Sequence, residues 1–193
     1  ENTVVKATNY PIIYGVPSIL FGNMPNNAGA LLFTKDEKQE LITCEPKASR
    51  WIKQLVGSNE FINGRERYCL WLVGIGDQEL KDMPAVMERV ERVRETRLAS
   101  RDAGARRLAQ RPHQFRDLNN PSQFILVPSV TSEKREYAPV GVFGDDVIGS
   151  NLAYIIPNGT YFEFAILSSR MHMDWLRLVG GRLESRYRYS ATL

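Results

Sequence analysis

Two cysteines and two histidines are all that a chain of 193 residues contains, and each scarcity excludes some chemistry. Cys44 and Cys69 are too few for a disulfide framework and fit a reducing, cytoplasmic compartment. With His113 and His172 they stand singly, without the paired spacing a zinc site needs, so no metal is expected; lone cysteines are more often small core residues. No run of about 18 apolar residues exists, which argues against a membrane-spanning helix. Glu1-Asn2-Thr3 opens neither a basic region nor an apolar stretch, so no signal peptide is expected. A nucleotide-binding glycine turn is missing too, since Gly74-Ile75-Gly76 is only half of one. No serine or cysteine is framed by glycines as a nucleophile elbow requires. Asp145-Asp146 and Glu133 with Lys134 lack the Asp, then Glu-x-Lys order of a metal-dependent nuclease. The chain reads as catalytically empty: no catalytic residue, cofactor site or metal site is expected within it.

What is present is an ordinary globular balance, 43% hydrophobic and 24% charged, enough apolar matter for a core in one domain or two small ones. The formal charge of +3 is unevenly spread. From Glu88 to Arg116 stand nine arginines (89, 92, 94, 97, 101, 106, 107, 111 and 116) against Glu88, Glu91, Glu95 and Asp102. That segment is therefore net basic by five, and the remainder net acidic by two. An all-arginine cluster fits phosphate contact, and fits a solvated helix face equally well.

Residues 1–33 read as extended pieces and turns, among them Ile12-Ile13-Tyr14 after Pro11. Thr34 to Glu37 is a capping box that predicts a helix to about Cys44. Pro46 predicts a second helix carrying Trp51, Ile52 and Leu55 and stopping at Gly57. Asn63-Gly64 predicts the turn of a hairpin over Phe61 to Val73. After Asp77, Met83, Val86, Met87, Val90, Val93 and Leu98 fall at helical spacing. They predict one amphipathic helix from Pro84 to about Ala109, roughly 39 Å long, with Gly104 as an interruption. Beyond the loop at 112–123 the pattern changes to strands at Phe124–Val127, Tyr137–Phe143, Ala153–Ile156 and Tyr161–Leu167. Ser168 or Ser169 caps a last helix from Met171 to Val179, ended by Gly180-Gly181. His172 within it reads more readily as a hydrogen-bonded structural histidine than as a catalytic one. Asn158-Gly159-Thr160 matches a glycosylation sequon and is read as a turn. The fold class is α+β: a mixed or antiparallel sheet, one long amphipathic helix and several shorter ones, in a single domain over 1–193 with a subdomain switch near 112–123 as the alternative.

The segment Arg182 to Ser190 alternates. As one strand it puts Leu183, Ser185, Tyr187 and Tyr189 on a core face and Arg182, Glu184, Arg186 and Arg188 on the other. Charges about 6.6 Å apart form a comb suited to base edges or phosphates. Arginine grips guanine O6 and N7 with two bonds, and glutamate accepts from the cytosine amino group. A solvated sheet face with weak salt bridges is the competing reading.

Several short segments carry a resemblance: Phe21-Gly22-Asn23-Met24-Pro25-Asn26, Glu60-Phe61-Ile62-Asn63-Gly64 and Tyr68-Cys69-Leu70-Trp71-Leu72. The series continues with Met83 to Val90, Arg97-Leu98-Ala99-Ser100, Ser168 to Met173, Gly181-Arg182-Leu183 and Tyr187 to Ser190. In this order, over nearly the whole chain, they resemble the target-recognition domain of MmeI-like (type IIL) restriction–modification enzymes. Those enzymes join a nuclease, an adenine methyltransferase and a DNA-reading domain in one polypeptide. The resemblance implies that Glu184 and Arg186 read one C·G or G·C pair, the charge-swapped Lys/Asp form reading it in the other orientation. It implies a second reading group in Arg188 and Leu152, with Asn151 beside them. Apart from the resemblance, backbone contacts are expected from Arg182, Arg170, Lys134 and Arg135 and from some of the helix arginines.

Neither the family's S-adenosylmethionine glycine motif nor its Asn-Pro-Pro-Tyr motif occurs, and Asn120-Pro121-Ser122-Gln123 is no substitute. A start without methionine and an end in a strand fit a domain cut from a larger enzyme. S-adenosylmethionine and Mg²⁺ are accordingly expected of the parent and not of this chain. The expected partners are double-stranded DNA and the parent's methyltransferase and nuclease domains, with no membrane. The alternative is an interaction module whose arginine-rich helix docks on the methyltransferase domain without touching DNA.

Overall fold

A computed structural model describes residues 15–190. The extended pieces expected at Pro11 and Ile12-Ile13-Tyr14 lie outside the described residues. Two short strands, β1 (Leu20–Phe21) and β2 (Leu32–Phe33), flank an asparagine-rich loop. Helix α1 (Lys35–Cys44) begins at the expected box: Thr34 N donates to Glu37 Oε2 at 2.7 Å and Glu37 N to Thr34 Oγ1 at 3.3 Å.

The helix expected from Pro46 is a correction. A 3₁₀ turn, Pro46–Trp51, gives way at once to strand β3 (Ile52–Val56). Tertiary pairing overrides the local start, because β3 has hydrogen-bonded neighbours on both sides. A second correction concerns Asn63-Gly64. Helix α2 (Ser58–Asn63) ends there, and Gly64 at φ 63° is its left-handed cap. The same glycine conformation serves hairpins and helix ends, so the dipeptide was ambiguous. Strand β4 (Tyr68–Leu70) follows.

The long helix is broken as well. After α3 (Asp77–Lys81), α4 spans Pro84–Leu98, roughly 22 Å, and α5 spans Ala103–Leu108. The break lies ahead of Gly104, where Asp102 accepts from the amides of Gly104 (2.9 Å) and Ala105 (3.2 Å) and starts a new helix.

The later half supplies β5 (Gln123–Pro128), β6 (Val130–Thr131), β7 (Gly141–Gly144), β8 (Val147–Gly149) and β9 (Ala153–Pro157). Tyr161–Leu167, expected as a strand, is helix α6. Thr160 N donates to Glu163 Oε2 at 2.7 Å, a capping box that outweighs the alternation of apolar residues. Helix α7 (Arg170–Val179) is capped by Ser169, which accepts from His172 N at 3.1 Å. Strands β10 (Gly181–Leu183) and β11 (Arg186–Arg188) complete the order.

Among the described residues the strands form three sheets, β1-β9-β5-β7, β2-β4-β3-β8 and β10-β11-β6. Every pair of strands is antiparallel except β3 with β8. The expected α+β class with mixed and antiparallel sheets is what the chain adopts. Strand β5 from Phe124 onward and strand β9 are apolar because both their faces are buried. Phe124, Leu126, Ala153 and Ile155 enter one core cluster. Ile125, Val127, Tyr154 and Ile156 enter another, with Met173 and Leu176 of α7 and Tyr187 and Tyr189 of the last segment. The largest cluster packs α1, α3 and α4 against β2-β4-β3-β8. Cys69 is buried in it, and desolvation pushes its thiol up to about 12. Cys44 is exposed, so only one cysteine has the expected core role.

Candidate functional site

The terminal segment is a hairpin and not the single strand expected. β10 and β11 pair as Gly181↔Arg188, Arg182↔Tyr187 and Leu183↔Arg186, with Glu184-Ser185 as a two-residue turn. Opposed residues of an antiparallel pair share a face, which divides the four-charge comb. Arg186 and Arg188 share one face with Leu183 and Gly181. Arg182 lies on the other, its guanidinium 4.8 Å from the Tyr187 ring centroid and 3.4 Å from the Tyr187 hydroxyl. Leu183, expected inside, is exposed. Tyr187 and Tyr189 are buried as expected and pin the hairpin to the core, each contributing about 1.5–3 kcal/mol.

Glu184 occupies the turn at φ 58°, in the left-handed region. For a residue with a Cβ this costs about 1–2 kcal/mol, and glycine or asparagine is the common solution. Its carboxylate accepts from Arg186 Nη2 at 3.2 Å, and both side chains are open to solvent. The tip thus offers one acceptor and one forked donor side by side.

Beneath the hairpin, Tyr189 OH lies 2.7 Å from His172 Nε2. Burial lowers the imidazole pKa and raises that of the phenol. His172 is the hydrogen-bonded structural histidine anticipated.

Asn151 and Leu152 form the turn between β8 and β9, with Leu152 half exposed. The turn is held by main chain. Asn151 N donates to Asn23 O at 3.1 Å, and Gly22 N to Ala153 O at 3.0 Å. Gly22 packs so closely that a Cβ there would lie 2.2 Å from Ser150 O. Asn23 is fully buried and donates through Nδ2 to Gly149 O (3.0 Å) and Asn119 O (2.8 Å), while Oδ1 accepts from Asn119 N (2.6 Å).

On the opposite side the Leu152 carbonyl accepts from both Ser58 Oγ and Ser129 Oγ, the latter at 3.1 Å. Ser129 N donates to Ser58 Oγ at 3.0 Å, and Ser129 O accepts from Tyr189 N at 2.8 Å. β11 also pairs with β6 as Arg188↔Val130. Ser129 therefore touches both Leu152 and the strand carrying Arg188. Sequence reasoning missed Asn23, Ser58 and Ser129. Asn23 lay within a quoted segment, but Ser129 after Pro128 carries no local signal.

Of the other expected positions, Lys134 and Arg135 are exposed in the turn after β6. Arg170, first residue of α7, is exposed and 4.0 Å from Asp174. Three arginines of the basic segment, Arg89, Arg97 and Arg111, are wholly or partly buried, while Arg92, Arg94, Arg101, Arg106, Arg107 and Arg116 are exposed. Arg97 is 1% exposed, and all five of its donors reach carbonyls: Asn26 (2.9 Å), Leu108 (2.9 Å), Arg111 (3.0 Å), Pro25 (3.1 Å) and Gln114 (2.7 Å). Burial, with the charge of Arg111, lowers its pKa to about 10. Arg89 donates to Ala30 O, Arg106 to Ser100 O and Arg101 O, and Arg111 to Phe115 O and Arg116 O.

Among the described residues no three acidic, histidine or cysteine side chains converge. The best-formed cavity, about 360 Å³, is lined by Arg50, Trp51, Lys53 and Trp71, and Arg50 and Trp51 both donate to Glu79. No helix among the described residues is long and apolar enough to cross a membrane.

The family model described as "MmeI, target recognition domain" matches residues 1–193. DNA methyltransferase A of Bacillus subtilis (strain 168) is 44% identical over 194 residues, spanning all of this chain and 22% of that protein. A solved structure of the type IIL restriction–modification enzyme MmeI in complex with DNA is 41% identical, with a TM-score of 0.91. That match takes in all of this chain and 26% of the solved one. This chain thus spans about a fifth to a quarter of the relatives it matches.

Proposed function

The chain belongs to the family of MmeI target recognition domains, and from that membership we propose that it recognises a specific sequence in double-stranded DNA. The observation that carries this reading is the hairpin tip, where Glu184 occupies a strained turn and keeps its carboxylate beside Arg186 in solvent. A strained glutamate at an exposed turn is retained for what its side chain does. Glu184 would accept from the cytosine amino group and Arg186 would donate to guanine O6 and N7 across one base pair. Arg188 lies on the same face of the hairpin as Arg186, and with Asn151 and Leu152 it would form the second reading group. Lys134, Arg135 and Arg170 would hold phosphates around them. Arg182, turned onto Tyr187, would reach the backbone only by leaving that ring.

The proposed setting is a longer, cytoplasmic polypeptide whose other domains methylate adenine with S-adenosylmethionine and cut DNA with Mg²⁺. This domain would bring them to their site and help present a flipped adenine. An interaction module working through the arginine helix has less support, because Arg89, Arg97, Arg106 and Arg111 of that segment donate to main-chain carbonyls within this chain. The face suited to packing against the rest of such a polypeptide is instead that of α6 and α7, where Tyr161, Phe162, Met171, Trp175 and Leu178 are exposed.

Competition binding against duplexes substituted at each position tests the reading. Wild-type affinity should fall steeply between about 50 and 200 mM salt. Arg186→Ala should lose about 1–3 kcal/mol of discrimination at one base pair. An Arg186→Ala protein with unchanged preference everywhere removes that residue from the reading group.

A further inference from the structure

The hairpin and the β8–β9 turn belong to different sheets, yet both are tied to Ser129. Its carbonyl accepts from Tyr189 N, the amide next to Arg188, at 2.8 Å, and its hydroxyl donates to the Leu152 carbonyl at 3.1 Å. Ser58 adds a second hydroxyl to that carbonyl and receives Ser129 N at 3.0 Å. The Leu152 amide is held as well, donating to Ser150 Oγ at 3.1 Å. Both ends of Leu152 are thus fixed through main-chain groups, and its side chain is left free.

We propose that Ser129, with Ser58 behind it, is a specificity-determining positioning residue that sets the separation between Arg188 and the Asn151–Leu152 turn, so that the two act on DNA as one reading group. This rests on the DNA-recognition reading above. The physical reason is the shortness of the path. One residue joins the two groups, and a main-chain hydrogen bond of 2.8 Å and a hydroxyl hydrogen bond of 3.1 Å leave little slack. Long side chains with several rotatable bonds would not hold two readers to within the fraction of an ångström that base readout needs, whereas a serine hydroxyl turns about one side-chain bond. Ser129 and Ser58 need touch no base themselves. The Glu184–Arg186 pair lies at the far end of the hairpin and is outside this control.

The test uses the whole protein and defined duplexes. Selection from a random duplex pool gives the wild-type site, and each position is then substituted in turn. Ser129→Ala should reduce discrimination roughly tenfold, the worth of one hydrogen bond, at the positions sensitive to Arg188→Ala and Leu152→Ala. The position sensitive to Arg186→Ala and the salt slope should stay unchanged. Ser129→Thr keeps the hydroxyl and should restore wild-type discrimination, and Ser58→Ala should repeat the Ser129→Ala pattern more weakly. In an Arg188→Ala background the Ser129→Ala effect should vanish, which a purely structural role would not produce. Equal loss at all positions, or no loss in either serine variant, overturns the proposal. An Arg188→Ala protein that changes no position, while Ser129→Ala still does, overturns the underlying assignment of Arg188 instead.

Discussion

The segment from Glu88 to Arg116 holds nine arginines, and the hairpin from Gly181 to Arg188 holds three. In the first, Arg89, Arg97, Arg106 and Arg111 donate to main-chain carbonyls, and Arg94 and Arg116 pair with Glu91 and Asp117. In the second, Arg186 and Arg188 face solvent, and the one charged partner, Glu184, is exposed too. The richer segment turns four of its nine guanidinium groups to main-chain carbonyls; the hairpin leaves Arg186 and Arg188 in solvent. Arg97 makes the contrast sharpest. It fastens the loop at Pro25 and Asn26 to the turns at Leu108, Arg111 and Gln114 with no carboxylate among its partners. Local charge density therefore measures how much arginine a fold employs, and exposure decides which of it meets a ligand.

The largest expected effect comes from the fastener. Arg97→Met leaves five carbonyls without their donor, and unfolding in urea should show a loss of at least about 3 kcal/mol. The folded fraction should keep its sequence preference. A variant that is fully stable but loses base preference would invert the comparison. At the hairpin, Glu184→Lys combined with Arg186→Asp should change stability by less than about 0.5 kcal/mol, since exposed pairs contribute little. It should swing preference between C·G and G·C at one position by about 1–3 kcal/mol. Preference unchanged on selection would end the idea that this pair reads a base. Smaller still, Lys134→Ala should weaken binding to all sequences alike and lower the salt slope by about one, while Arg106→Ala, whose guanidinium is held by Ser100 O and Arg101 O, leaves the slope as it was. Equal slopes in the two variants would place phosphate on the helix after all.

The smallest effect is one of pH. Burial holds the His172 pKa below its usual 6.5, so the fold favours the neutral ring. His172 then stabilises the fold fully above that value and progressively less as pH falls beneath it. His113 shifts the same way through burial. His172→Gln should accordingly flatten, without abolishing, the decline in urea midpoint from about pH 7 to pH 5. A decline as steep as in wild type would assign it to other groups.

Features encoded within a few residues were legible from the sequence. The boxes and caps at Thr34 and Ser169, and the doubly buried runs of β5 and β9, appear where their local chemistry puts them. The misreadings share a cause, since each sits where a second structure satisfies the same local signal. Ile52–Val56 follows a helix start but is claimed by two neighbouring strands. Asn63-Gly64 caps a helix, while the actual hairpin turns on Glu184-Ser185, which carries no glycine to announce it. Burial of Tyr187 and Tyr189 survived the wrong description of their strand, because alternation holds within each short strand. The tie through Ser129 was illegible, since it joins residues 58, 129, 152 and 189, and no pattern along the chain spans that distance.

The seat of the β8–β9 turn has an evolutionary consequence. Gly22 and Asn23 grip that turn through main-chain groups, Ser58 and Ser129 through hydroxyls on the Leu152 carbonyl, and the Leu152 side chain takes no part in these bonds. Leu152 can therefore be exchanged without disturbing what holds it, so that, on the proposed reading, a lineage would try new specificities one substitution at a time on an inherited mount. Variation is expected at that side chain and constancy at the four residues that seat it.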